Sequence, residues 1–309
     1  MTSIESRRHP YFYLNLTLTN LLCFGLGGLM LAISLQNFQN NAGAGEKDYF
    51  YLAFGFTLLF CGLFITLRYI GNYPKIVVDS FQISFNKQVY YWKDIKRIEL
   101  TGLQPFNCGF TWQKYGACLT FKDGRVKYFY DALYANTHHI KWFIHQSIIN
   151  KRIPVAPPVS IIDFDELEQQ QFEEFKRSQF LSIQGLLMWF MLFMFTAPLI
   201  QGSGFKAKLV VLAIALLFFY LLSYGMNYFC LSEKYLVIKN NNFFWQKKVY
   251  HLKEIREVDL ESLGKGQMGV RIQTKDFRNN LYPATLLTDK QLGLLLKALR
   301  LKGVPVSGY

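Results

Sequence analysis

The chain has 309 residues, 34 Lys and Arg against 21 Asp and Glu, and a formal net charge of +13. Hydrophobic residues make up 51% and charged residues 18%. The apolar ones gather into four charge-free runs, too long to hide inside a chain of this length, which argues against an ordinary soluble domain.

The five cysteines lack C-x-x-C spacing and a clear histidine partner, which argues against zinc and a disulfide framework. No H-E-x-x-H, G-x-S-x-G or Walker sequence occurs. The expectation is a non-enzymatic protein with no cofactor and no metal.

The four runs are residues 9–45, 49–67, 178–205 and 209–232. A spanning helix needs about 20 apolar residues, so the runs predict two transmembrane hairpins. The first run follows Arg7 and Arg8 as a secretory signal would, but it is longer than a signal core and lacks an A-x-A end. It is expected to stay as a helix. The short connections hold Lys47 in one case and Lys206 and Lys208 in the other. Most other basic residues lie outside the hairpins, which places both termini and both polar regions in the cytoplasm. Tyr11, Phe12, Tyr13, Tyr49, Phe50, Tyr51, Tyr69 and Tyr73 sit at expected helix ends, as interfacial rings do. No Asp, Glu, His, Lys or Arg interrupts the spans, as an ion-coupled carrier would require.

The polar region after the first hairpin reads as short strands. K-I-V-V-D (75–79) is β-branched, and F-Q-I-S-F (81–85) alternates with the period of a half-buried strand. Asn86-Lys87 is a turn, Q-V-Y-Y (88–91) a strand, W-K-D-I an irregular step, and K-R-I-E-L another strand. Residues 101–115 read as a long loop. Residues 118–130 read as a hairpin turning at Asp123-Gly124 through a type I′ turn. Thr137 is expected to cap a helix running to about residue 150, with Ile140, Phe143, Ile144 and Ile148 on one face. The acidic stretch 156–177 carries 6 Asp and Glu against 2 Lys and Arg. It is expected to be an amphipathic helix leading into the third span.

The second polar region repeats the first. V-Y-Y-W-K-D-I-K-R-I-E-L (89–100) returns as V-Y-H-L-K-E-I-R-E-V-D-L (249–260), K-D-G-R (122–125) as K-D-F-R (275–278), and K-R-I-P-V (151–155) as K-G-V-P-V (302–306). The equivalent positions are Trp92 and Leu252, Asp94 and Glu254, and Ile95 and Ile255, with Asp123 and Gly124 at the first hairpin. A second C-terminal helix is expected over 288–301, with Leu292, Leu295, Leu296 and Leu299 on one face. The expected segments are an N-terminus at 1–10, hairpins at 11–71 and 179–230, polar domains at 72–155 and 231–309, and a linker at 156–178. The copies are parallel repeats, because an even number of helices separates them. That argues against a transporter with inverted repeats.

Several short antiparallel strands closed by one amphipathic helix predict a β-barrel domain. With W-K-D-I-K-R-I-E-L and C-L-T-F-K-D-G-R directly after a transmembrane hairpin, the chain resembles the bacterial PH-like membrane proteins. The resemblance implies membrane α-helical hairpins plus α+β cytoplasmic domains: two repeats of two transmembrane helices and a PH-like barrel with a C-terminal helix. The second copy departs from it at Leu252, Glu254 and Phe277, and Phe277 conflicts with a tight turn. The family has little assigned activity, so the resemblance speaks to fold rather than function.

Each polar domain is basic, with 12 Lys and Arg against 5 Asp and Glu in 72–155 and 14 against 7 in 231–309. Membrane lipid of the anionic leaflet, a protein partner, or both are the expected partners; no nucleic-acid motif occurs. The sharpest candidate contact is N-N-N-F-F-W-Q-K-K (240–248), with Phe243, Trp245, Lys247 and Lys248. The competing expectation is that Phe244 and Trp245 simply pack in the barrel.

Overall fold

The computed structural model describes residues 3–40, 45–71, 73–108, 110–152, 155–157, 162–200, 204–264 and 267–307. The connection at Ala42, the residues Ile153 and Pro154, and Tyr309 lie outside the described residues. The chain divides into two compact units, Met1–Pro157 and Pro158–Tyr309.

In the first unit, β1 (Ser3–Glu5) precedes α1 (Pro10–Asn20), a π-helical turn (Leu21–Gly25) and α2 (Leu26–Asn40). Then α3 (Glu46–Gly71) returns along α2. Phe12–Gln39 and Glu46–Gly71 are long and apolar enough to cross a membrane. The two helices run antiparallel. At one end the Ser34 hydroxyl donates to Asp48 O (2.8 Å) and Asn37 to the Asp48 carboxylate (2.7 Å). At the other the Thr66 hydroxyl donates to Asn20 Oδ1 (2.6 Å). Between them Gly27 and Gly55 let the backbones approach closely: a Cβ on Gly55 would lie 2.9 Å from the Leu31 side chain and 3.0 Å from Gly27 O.

After the hairpin come β2 (Ile76–Asp79), β3 (Gln82–Phe85) and β4 (Gln88–Tyr91). The expected N-terminal tail is instead the fourth strand of this sheet: β1 pairs antiparallel with β2, Ile4 opposite Val78. Beyond β1, Arg7 N donates to Asn136 Oδ1 (2.7 Å), and Asn136 Nδ2 donates to Glu5 O (2.7 Å). A 3₁₀ turn (Trp92–Asp94) leads to β5 (Ile95–Glu99). The expected long loop is corrected to a two-stranded ribbon, β6 (Leu103–Cys108) with β7 (Phe110–Phe121), and β8 (Val126–Tyr130) pairs with β7. Then α4 (Thr137–Ile144) continues into a π-helical turn (His145–Ile149). Ile140, Phe143 and Ile144 are buried, while Ile148 is half-buried. Thr137 is not the cap. Asn136 stands there, but its side chain is engaged by the N-terminal segment.

Phe12 and Tyr73 are buried with Tyr134 where the hairpin meets the sheet, and the Tyr134 hydroxyl donates to Pro74 O (2.6 Å). These two rings therefore form a joint, whereas Tyr13, Tyr49 and Phe50 remain exposed.

The second unit has α5 (Phe164–Gln169), β9 (Glu173–Phe175), a 3₁₀ turn (Gln179–Leu181), α6 (Ile183–Ile200) and α7 (Phe205–Tyr224). Ile183–Thr196 and Val211–Tyr224 are shorter apolar helices. The acidic stretch is thus not one helix. Its second half is an edge strand, with Phe175 opposite Phe229 of β10 (Asn227–Leu231). The fourth apolar run correspondingly ends as β10 rather than as helix. β11 (Tyr235–Asn240), β12 (Lys247–His251), a 3₁₀ turn (Leu252–Glu254), β13 (Ile255–Gly264), β14 (Gln267–Thr274), β15 (Asn279–Pro283), α8 (Asp289–Leu301) and β16 (Val306–Ser307) complete the unit. The sheet orders are β12-β11-β10-β9 and β15-β14-β13-β16. Leu292, Leu295, Leu296 and Leu299 of α8 are buried against Val258, Val270 and Ile272. Thr288 and Gln291 form the capping box that the first unit lacks.

The equivalent positions make equivalent bonds. Lys122 N donates to Asp94 O and Lys275 N to Glu254 O, each at 2.8 Å. Trp92 N donates to Phe81 O (3.2 Å), and Leu252 N to Lys234 O (2.8 Å). Trp92 also donates its indole N–H to Asp79 O (2.8 Å), whereas Leu252 is buried. Ile255 is buried and Ile95 half-buried.

The hairpin turn is not type I′. Gly124 N donates to Phe121 O (3.1 Å) and Phe121 N to Arg125 O (2.9 Å), and only Gly124 has positive φ (+84°). This is a type I turn with a glycine bulge. Asp123 accepts from Arg125 N (2.9 Å), and its bonds to Arg125 hold its carboxyl below the usual range. The second unit makes the same bonds between Thr274, Phe277 and Arg278, with Phe277 at φ +67°. Burial of the Phe277 ring beneath Arg256, 5.6 Å away, offsets the backbone strain. A Cβ on Gly124 would meet nothing within 4 Å. Gly124→Ala therefore costs conformational energy alone, about 1 kcal/mol, and hydrogen exchange across β7–β8 should accelerate roughly fivefold.

Candidate functional site

The segment 240–248 fits neither expectation in full: Phe243 turns inward, while Phe244 and Trp245 do not pack in the barrel. Phe243 is buried, 5% exposed, against Phe219, Tyr220 and Trp245. It packs inward and offers no outer surface. Phe244 (83% exposed) and Trp245 (64%) form the outward aromatic tip, with Lys247 and Lys248 exposed at the start of β12. The pattern F-F-W did not reveal which ring turns inward.

The asparagines bind this tip to the helices. Asn240 is buried; its Nδ2 donates to Ser223 O (2.9 Å), and its Oδ1 accepts from Asn242 N and Phe243 N, both at 2.9 Å. Asn242 donates to the Ser223 hydroxyl (2.7 Å), and Asn241 to Gln179 Oε1 (2.9 Å). Ser223 lies in the last turn of α7, so Asn240 satisfies a carbonyl that the helix end leaves open. Asn240→Leu keeps the volume and strands these partners, an expected loss of about 2 kcal/mol. Hydrogen exchange at Asn242 and Phe243 should rise roughly 30-fold.

Beside the tip lies a cleft of about 350 Å³, lined by Tyr224 at the end of α7, by Trp245, Lys247 and Lys248, and by Leu281 and Tyr282 of β15. The first unit has a cleft of about 540 Å³ in the corresponding place. Gly71 at the end of α3, Lys87 in the β3–β4 turn, and Lys127 and Tyr128 of β8 line it. Among the described residues, no Asp or Glu lines either cleft. Burial pushes the Tyr282 hydroxyl far above its ordinary range, Tyr130 up to about 12, and Tyr128 upward. These phenols stay neutral at physiological pH, so the charge in each cleft comes from lysine. Tyr282 is held by Tyr250 (2.6 Å), which accepts from Asn280 (2.9 Å). Lys127 donates to Gln88 Oε1 (3.1 Å).

The sequence pointed to Lys247 and Lys248 but missed Lys87 and Lys127. Those two lie 40 residues apart and meet only because β8 folds back toward the β3–β4 turn. Among the described residues, no group of three or more His, Cys, Asp or Glu is placed to hold a metal. The clefts present ammonium, amide and aromatic groups, which suit binding of an anion.

No protein-family model matches the sequence, and no curated protein shows significant similarity to it.

Proposed function

We propose that this chain is a non-enzymatic integral membrane protein. Two helical hairpins each carry a PH-like β domain to the cytoplasmic face, where the domains bind anionic lipid, a protein partner, or both. The observation that carries this is the edge strand ahead of each hairpin. β1 pairs with β2 across the first hairpin, and β9 pairs with β10 across the second. A strand pair can close this way only if both ends of the intervening helices emerge on the same side. At 1.5 Å per residue, α6 measures about 27 Å and the charge-free part of α7, from Leu209, about 24 Å, somewhat under the ~30 Å hydrocarbon core. Their exposed faces are apolar, as at Phe193 and Leu216. Duplication of one strand–hairpin–barrel unit accounts for the shared order of elements and shared backbone bonds.

A second reading is an accessory subunit of an envelope or export complex. The β6–β7 ribbon favours it, because Leu103 and Trp112 stand exposed there as a surface for another chain.

Reporters fused after Tyr309 and inserted near Lys122 should read cytoplasmic, and one at Ala42 should read external. A cytoplasmic signal at Ala42 would remove the hairpin topology. Co-purification from membranes in mild detergent would separate the two readings: a stoichiometric enzyme or transport complex would favour the second.

A further inference from the structure

We infer that each basic cleft seats the phosphodiester headgroup of an anionic membrane phospholipid. This rests on the membrane reading above and narrows its lipid ligand to the headgroup phosphodiester and the residues that hold it. Depth is the first reason. Each cleft is lined by the last residue of its returning helix, Gly71 or Tyr224. In a spanning hairpin that residue leaves the hydrocarbon, so the cleft opens at headgroup level.

Sign is the second reason. Lys87 and Lys127 line one cleft, Lys247 and Lys248 the other, and among the described lining residues no carboxylate opposes them. Size is the third: the volumes of about 350 and 540 Å³ fall in the range of small-ligand sites. The amides of Asn86 and Gln246 add neutral donors.

Recurrence is the fourth reason. The turn before the second basic pair is longer and different in sequence, yet both clefts form between the helix exit, that turn and the last strand before the C-terminal helix. Phe244 and Trp245 stand beside the second cleft, where amphipathic rings favour the interface. Exposed Tyr220 and Leu221 of α7 continue apolar surface away from it, along which the acyl chains would lie.

The test uses the full chain reconstituted in phosphatidylcholine bilayers containing a minor fraction of phosphatidylglycerol, with retained lipid read by native mass spectrometry. Wild type should retain phosphatidylglycerol in preference to phosphatidylcholine. Lys247→Gln/Lys248→Gln and Lys87→Gln/Lys127→Gln should each weaken retention at one site by about tenfold or more. The fourfold variant should lose the preference. Lys290→Gln/Lys297→Gln, on the exposed face of α8, should leave it unchanged. Soluble glycerophosphoglycerol should not compete.

Equal retention by wild type and the fourfold variant would overturn the inference, as would an equal loss in the α8 control. Competition by the soluble phosphodiester at matched concentration would overturn the lipid assignment in favour of a free phosphoester. Extraction of the wild type from the bilayer by carbonate would bring down the membrane reading itself. Stable insertion without lipid preference would bring down only the clefts.

Discussion

Asp131→Ala should lower the stability of the first β domain by about 3–5 kcal/mol. Lys141 of α4 is wholly buried, and its ammonium forms an ion pair with Asp131, which follows β8 and is largely buried. Removing the carboxylate keeps a buried positive charge and deletes its counter-charge. A loss of about 3 kcal/mol corresponds to a fall in midpoint temperature of at least about 12 °C for a domain of this size. Thermal melting of the full chain, followed by hydrogen exchange in β7, β8 and α4, would measure it. Asp131→Asn/Lys141→Met removes both charges and should recover most of the loss, since an apolar replacement of a whole buried pair is often neutral. A double variant as unstable as Asp131→Ala would mean that packing rather than charge sets the cost.

Gly55→Leu should be strongly damaging to the first hairpin. Its Cβ direction meets both the Leu31 side chain and the Gly27 backbone carbonyl, and backbone cannot swing aside. The helices would have to separate, which lengthens the Ser34–Asp48 and Asn20–Thr66 hydrogen bonds at the two ends of the seam. Overpacking of this kind costs about 1–3 kcal/mol, and the two interhelical bonds add about 0.5–1.5 kcal/mol each. Gly28→Leu, one residue along from Gly27, points into open space and should change stability by less than about 0.5 kcal/mol. Detergent titration of the full chain, monitored by loss of helix, distinguishes the two. Equal sensitivity at both positions would mean that the α2–α3 seam does not run through Gly27 and Gly55.

The aromatic tip teaches how far a local pattern can be read. Phe243 and Phe244 are neighbours of one type, yet one is 5% and the other 83% exposed. Asn240 and Asn242 decide between them, because their bonds to α7 and to the turn amides orient the loop. That choice depends on where α7 ends in space, which no window around 240–248 contains. Phe277 is similar. Its residue type argued against the tight turn that Gly124 permits, yet both units turn the same way. Burial of the ring outweighs a backbone strain of about 1–2 kcal/mol.

The sequence by itself determined the features that arise from local period. Charge-free runs specify the apolar helices, alternation specifies β2 to β5 and β11 to β15, and the i, i+3, i+4 apolar faces specify α4 and α8. The parallel between the two polar regions was legible in the same way, because similar short motifs recur in the same order. Tertiary structure alone decided the edge strands. Ser3–Glu5 and Glu173–Phe175 are three residues each, too short to carry a period. They become strands only because β2 and β10, more than 50 residues away, offer unpaired amides and carbonyls. The same holds for the basic cleft of the first unit, where Lys87 of the β3–β4 turn and Lys127 of β8 meet only once the strands have folded back on one another.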